Sequence, residues 1–200
     1  MFLRRSLLCT AIAVAAWPLH ALAQAPAVVE VGGVKYATAA SVGGTSLPLN
    51  GAGIRYKFVV KVYTAGLYLA GKATTPDAVL TGTGAKRMHV VMLRDIDANE
   101  LGKLFTDGMQ KNTSREEFGK AIPGTLKLAE IFAARKRLVA GDSFFIDYVP
   151  GTGTVISVNG KVTTEPIKEP EFFTALMRIW LGSSPADYQL KDALLGQAKG

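Results

Sequence analysis

The stretch from Gly51 to Gly71, GAGIRYKFVVKVYTAGLYLAG, constrains the fold more than any other. It sets Arg55 behind two glycines and then runs through a long β-branched and aromatic segment, the composition of a central strand. Gly53 gives the backbone before Arg55 a freedom other residues lack, so Gly51 to Gly53 reads as a turn. A second short turn around Tyr56-Lys57 would bring the chain back along the next strand. Period-two alternation then places Val59, Lys61, Tyr63, Ala65 and Leu67 on one face, and Phe58, Val60, Val62, Thr64 and Tyr68 on the other. In that register Tyr63 can approach Arg55.

The flanks set the fold class. Before this stretch come short strands, AVVEV, VKYA and TSLPL, separated by Gly32-Gly33 and closed by a turn at Asn50-Gly51. After it, RMHVVML is a second strand run ending at Arg94-Asp95. Helical signals follow. Asp97 with Glu100 is an N-cap with its N3 partner, opening a segment whose Leu101, Leu104, Phe105 and Met109 share a face. Ser114 with Glu117 is a capping box, and Pro123-Gly124 is expected to break or kink the helix it opens. SFFIDYVP, a turn at Gly151 to Gly153, and TVISVNGKV return to strands, with Asn159-Gly160 a two-residue hairpin signal. The end reads as a helix, PEFFTALMRIWLG, and a second helix opened by Ser184-Pro185. Strands, helices, a hairpin and more helices predict α+β: an antiparallel sheet with a helical layer on one face, an open-faced β-sandwich.

The first residues, MFLRRSLLCTAIAVAAWPLHALAQA, have a basic start at Arg4 and Arg5, an apolar core and a small-residue site at Ala21-Leu22-Ala23. This reads as a secretory signal cleaved after Ala23, leaving residues 24–200 as one domain in the periplasm. Cys9, the sole cysteine, leaves with that segment, which excludes disulfides and thiolate chemistry in the mature chain. Loss of Arg4 and Arg5 lowers the formal charge from +7 to +5. The densest basic cluster, Arg135 to Arg137, reads as a solvated helix end, so nucleic acid is not expected as a partner. No transmembrane segment is expected in the mature chain.

Several chemistries are excluded by inventory. His89 is the one histidine left after cleavage, and a lone histidine alternating within a strand is a structural residue rather than a catalyst. Without a Gly-x-Ser-x-Gly elbow or a cysteine, no nucleophilic triad can be assembled. Zinc would lack ligands, no metal or cofactor is expected, and Asp95 and Asp97 read as a loop residue and a helix cap. GLYLAGKA, Gly66 to Ala73, approaches a phosphate loop but has Ala73 where a hydroxyl must hold the metal. Gly51 and Gly53 likewise lack a third glycine, since Tyr56 stands in its place.

NGAGIRYKFVVKVYTAGLYL resembles the signature of the chalcone isomerase superfamily, a Gly-Ala-Gly-x-Arg turn followed by a strand ending in Gly-Val/Leu-Tyr-Leu. DANELGKLF, AGDSFFIDYVPGTGTVISVNG and the C-terminal FFTALMRIWLGSSPADYQLKDALLG are similar to later parts of the family in order and type. The resemblance implies an open-faced β-sandwich with a ligand cleft between sheet and helices. In the catalytic plant members the motif arginine works with a threonine, a tyrosine, an asparagine and a further Ser/Thr on a chalcone. Here Arg55 matches the arginine, Tyr63 takes the threonine position, and Glu100 and Asp107 fall near the tyrosine and asparagine. Phe173 or Thr174 falls at the last. Carboxylates in place of neutral donors would repel an anionic transition state.

The Arg55 and Tyr63 pairing is similar instead to the fatty-acid-binding branch of the superfamily, where the two side chains hold a carboxylate. The resemblance thus implies a non-catalytic protein for a small amphipathic carboxylate, with Arg55, Tyr63, Ala65, Leu67, Leu104 and Phe173 as its binding set. Two alternatives stand beside it: an isomerase or lyase using Arg55 with Glu100 or Asp107 as base, and an interaction protein presenting Arg135 to Arg137.

Overall fold

The computed structural model describes residues 27–197; the expected signal and its cleavage site lie outside them. Eleven strands and five helices follow one another among the described residues. Seven strands form one antiparallel sheet in the order β11 (Lys161–Val162), β10 (Gly153–Val158), β9 (Ser143–Val149), β6 (Lys86–Met92), β5 (Val60–Leu69), β4 (Thr45–Lys57) and β3 (Ala39–Val42). The sheet curls until Gly43, at the β3–β4 turn, approaches Val149 of β9 so closely that a Cβ would sit 2.8 Å from it. β1 (Val28–Val31) and β2 (Val34–Ala37) form a separate hairpin lying on the open face. There Tyr36 lays its ring on Gly66, where a Cβ would meet it at 2.6 Å, and donates its hydroxyl to Thr64 at 2.7 Å.

The opposite face carries α1 (Pro76–Thr81), α2 (Ala98–Lys111), α3 (Arg115–Ala133), α4 (Pro170–Leu181) and α5 (Tyr188–Leu194). Eight of the twelve α4 residues are buried, so this helix is wetted on almost no side and lies at the centre of the main core. The fold is therefore the expected α+β sandwich: antiparallel sheet, helical layer, and a smaller cluster around Tyr36 and Tyr68 on the far face.

Local signals held where they depended on near neighbours. Asp97 accepts from the Glu100 N–H at 3.0 Å, and Ser114 and Glu117 close a reciprocal capping box. Asn159 and Gly160 take positive φ in the β10–β11 hairpin.

Other expectations are corrected. Pro123 does not end α3: the preceding-turn carbonyl it deprives of a donor belongs to exposed Gly119, which water can satisfy. Gly124 beside it is a close contact, since a Cβ there would strike the Phe172 ring at 2.5 Å. The last helix starts at Tyr188, with Asp187 rather than Ser184-Pro185 as its opening.

The largest correction concerns the glycines before Arg55. Asn50-Gly51 is no turn but the site of a bulge inside β4, where Leu49 pairs with Tyr68 and Gly51 with Leu67, leaving Asn50 over. Its side chain turns inward, donating to Ala73 O and Leu194 O and accepting from Ala73 N, each at 2.8 Å. Gly51 and Gly53 are the seat of α5: a Cβ would come within 2.1 Å of Ala193 O at the first and 2.6 Å of Ala193 Cβ at the second. Glycine is needed here for approach, not for a turn. The real turn between β4 and β5 is Phe58-Val59, two residues later than Tyr56-Lys57.

Candidate functional site

Arg55 and Tyr63 are cross-strand partners on β4 and β5. Directly beyond them the register slips: Tyr56 opposes Lys61, and Val62 is left as a bulge. This slip puts Val62 on the same depression as Arg55, against the face that strict alternation assigns to it. The guanidinium carbon of Arg55 lies 5.4 Å from the centre of the Tyr63 ring, a cation over a π face. The Tyr63 hydroxyl accepts a 2.9 Å hydrogen bond from Nε1 of buried Trp180 on α4. Burial pushes the phenol up to about 12, against the opposing pulls of Arg55 and of the Trp180 donor. Tyr63 therefore stays neutral, and among the described residues nothing accepts its own proton.

Arg55 stands at the junction of two spaces. Outside it is an open depression of about 580 Å³, and beside it a small slot of about 20 Å³ between sheet and helices. The slot is apolar, walled by Tyr63, Leu101, Leu104, Phe105 and Ile179. In the depression, Lys57, Arg94, Lys136 and Arg137 gather around Arg55, against Asp95, Asp97 and Glu100. Two of the acids are already engaged. Asp97 caps α2, while Asp95 pairs with Arg137 at 3.2 Å and accepts from Ala140 N at 3.0 Å. The net field at the mouth is positive, suited to an anion. Nε of Arg55 is buried and has no hydrogen-bond partner among the described residues. Buried donors in folded proteins are nearly always satisfied, so this one asks for an acceptor that the described residues do not supply.

The chalcone isomerase-like family matches residues 28–196. The chain belongs to that family. Among solved structures, the fold is similar to that of the Arabidopsis thaliana fatty-acid binding protein AtFAP1, at 12% identity and a TM-score of 0.64, covering 82% of this chain and 93% of the other. No curated protein matches the chain.

Within this chalcone isomerase-like fold, the residues singled out from the sequence separate into two groups. Arg55, Tyr63, Leu104 and Glu100 come together at the mouth and slot. Asp107 lines neither space and is exposed on α2. Ala65 and Leu67 follow Tyr63 on the same face, but they lie under the helices in solid core with no accessible surface. Phe173 packs on Tyr148 at 5.2 Å and under the Lys86 ammonium at 5.5 Å, and lines neither space; Thr174 lies in a separate surface groove with Glu117 and Arg178.

Trp180, Lys136 and Arg94 escaped the sequence reading as site residues. Arg137, read there as part of a helix end, is in β8 (Arg137–Leu138), which pairs with β7 (Ile96–Asp97) and so brings Arg137 and the preceding Lys136 to the mouth, while Arg135 lines a separate groove. No helix among the described residues is long and apolar enough to cross a membrane.

Proposed function

We propose that the protein is an exported, non-catalytic chalcone isomerase-like protein that binds a fatty acid or a similar amphipathic carboxylate at Arg55. The unpartnered, buried Nε–H of Arg55 carries this reading, because a carboxylate oxygen is the acceptor that a guanidinium takes best. The free proton of the Tyr63 phenol supplies another donor, and the surrounding lysines and arginines favour the anion. The likeness to a fatty-acid binding protein supports the same class of ligand. At about 20 Å³ the slot has room for no more than a water, so an alkyl tail enters as Leu104 and α2 give way. Ten buried methylenes at ~0.8 kcal/mol outweigh the ~1.5 to 3 kcal/mol of each charged hydrogen bond, so tail supplies affinity and Arg55 orientation.

Titration with medium-chain fatty acids is expected to saturate, and Arg55→Met to weaken binding roughly tenfold or more. A wild-type protein without saturable binding, or an Arg55→Met variant that binds equally well, overturns the reading. Export is tested by recovering from the periplasm a chain whose first residue is Gln24.

A second reading rests on Glu100, which lines the same depression as Arg55. There Glu100 would act as base and Arg55 would stabilise the enolate of an isomerase or lyase. Turnover of a chalcone above the buffer rate, abolished by Glu100→Gln, would establish it.

A further inference from the structure

Among the described residues, the two most exposed large apolar side chains sit together at the β4–β5 turn: Phe58 at 93% and Val59 at 91% exposure. Phe58 also holds φ at +58°, a left-handed conformation that glycine adopts without strain and an aromatic residue does not. The fold thus gains nothing from the ring at this position, and glycine would serve the turn better.

The chemistry around the tip is consistent. Exposed Lys57 and Lys61 flank it on the two strands, Tyr56 lies half-buried at its base, and Tyr188, 64% exposed, stands beside it across a shared surface hollow. The acid in that hollow, Asp187, is occupied by the N–H groups of Tyr56, Gln189 and Leu190. An apolar point flanked by two lysines and by aromatics fits a bilayer: rings and methyls enter the acyl boundary while ammonium groups meet phosphate oxygens. The hollow beside the tip lies to one side of it, while the Phe58 and Val59 side chains themselves stand almost wholly in solvent, as a shallow insertion into a soft layer requires.

We propose that the Phe58-Val59 tip is a membrane-docking loop that inserts shallowly into a bilayer bearing anionic headgroups. Arg55 and Lys57, on the same hairpin, also line the mouth, so docking sets that mouth close to the lipid surface. The inference does not depend on what the mouth binds.

The test uses the chain from Gln24 onward, which contains every described element, with sucrose-loaded vesicles of phosphatidylcholine alone or mixed with phosphatidylglycerol. Wild type is expected to sediment with the mixed vesicles. Phe58→Gly with Val59→Ser is expected to reduce that partition about tenfold or more while the melting temperature holds, since glycine suits the turn. Lys61→Glu is expected to weaken binding to mixed vesicles and leave pure phosphatidylcholine unaffected. A Phe58→Trp variant is expected to shift its emission to the blue on adding mixed vesicles. Wild type that stays in solution, a double variant that sediments undiminished, or an unshifted tryptophan each overturns the proposal; the first would leave a protein partner as the reason for the exposed tip. Fatty-acid titration of the double variant without vesicles keeps this outcome apart from failure at Arg55.

Discussion

Arg55 on β4 and Arg87 on β6 lie on either side of β5 in the same sheet, and they are held in opposite ways. Arg87 is matched: Nε and Nη2 fork onto the two oxygens of Asp147 on the adjacent strand β9, each at 2.6 Å, and its guanidinium carbon lies 4.5 Å from the centre of the Phe145 ring. Arg55 also lies against an aromatic ring, but its Nε finds no acceptor among the described residues, and the cations around it outnumber the acids only by four to three. A bidentate ion pair with little solvent access closes on itself and specifies register. An arginine left open costs stability within the fold, which is the ordinary mark of a residue kept for a ligand.

The sharpest way to break this contrast is to remove each guanidinium. Arg87→Met strands the Asp147 carboxylate in a site with 12% side-chain exposure, and a loss of about 3 kcal/mol in urea unfolding is expected. Arg55→Met removes an unsatisfied donor while keeping the apolar stem, so its stability is expected to change by less than about 1 kcal/mol while ligand binding falls. Equal losses in the two variants would mean that Arg55 is structural after all.

The Arg87 side also contains a pH response. His89 stacks on Phe145 at 4.4 Å and meets the Tyr36 edge at 5.1 Å, and burial, with Arg87 adding to it, pushes its imidazole down from 6.5 to about 4. Below pH 6.5 the unfolded chain takes up a proton that the folded chain refuses. The contribution of His89 is therefore complete above pH 6.5 and lost as the pH falls toward 4. The difference corresponds to roughly 2 to 3 kcal/mol. Unfolding measured at pH 7 and pH 4 should show a correspondingly smaller acid loss for His89→Leu than for wild type. Identical slopes would place the imidazole in contact with water.

How far the sequence foretold these regions depends on the separation of the interacting partners. Capping at Asp97 and Ser114 and the Asn159-Gly160 hairpin were legible because donor and acceptor are three residues apart or fewer. Arg55 and Tyr63 were legible because one hairpin pairs them. The meaning of Gly51 and Gly53 was not, since their neighbours are Ala193 and Leu194, and the Asn50 bulge is fastened to a carbonyl 144 positions away. Trp180 was missed for the same reason, reaching the Tyr63 hydroxyl across 117 positions. Alternation correctly put Ala65 and Leu67 on the Tyr63 face, but no periodicity says where along a strand the cavity ends. The slip at Val62 marks the rim of the mouth, and the tight pairing after it marks solid core.

Arg178 completes the comparison as the arginine of a partly exposed pair, and neutralising its partner should have the smallest effect. Its Nη1 donates at 2.9 Å to Glu117 Oε2, the same oxygen that accepts the Ser114 N–H of the α3 capping box. The hydrogen bond from Arg178, with that from the Ser114 backbone next, holds the carboxyl down at about 2. A carboxylate held below its unfolded value stabilises the fold above about pH 4.5, and the contribution disappears as the pH falls toward 2. With nearly half of the Glu117 side chain exposed, water screens the pair, so Glu117→Gln is expected to cost about 0.5 kcal/mol at pH 7. That gap should shrink in urea titrations at progressively lower pH and in high salt, because both weaken the ionic part and leave the capping geometry to the amide. A gap that persists at pH 2.5 would assign the effect to packing of Glu117 against α4 rather than to its charge.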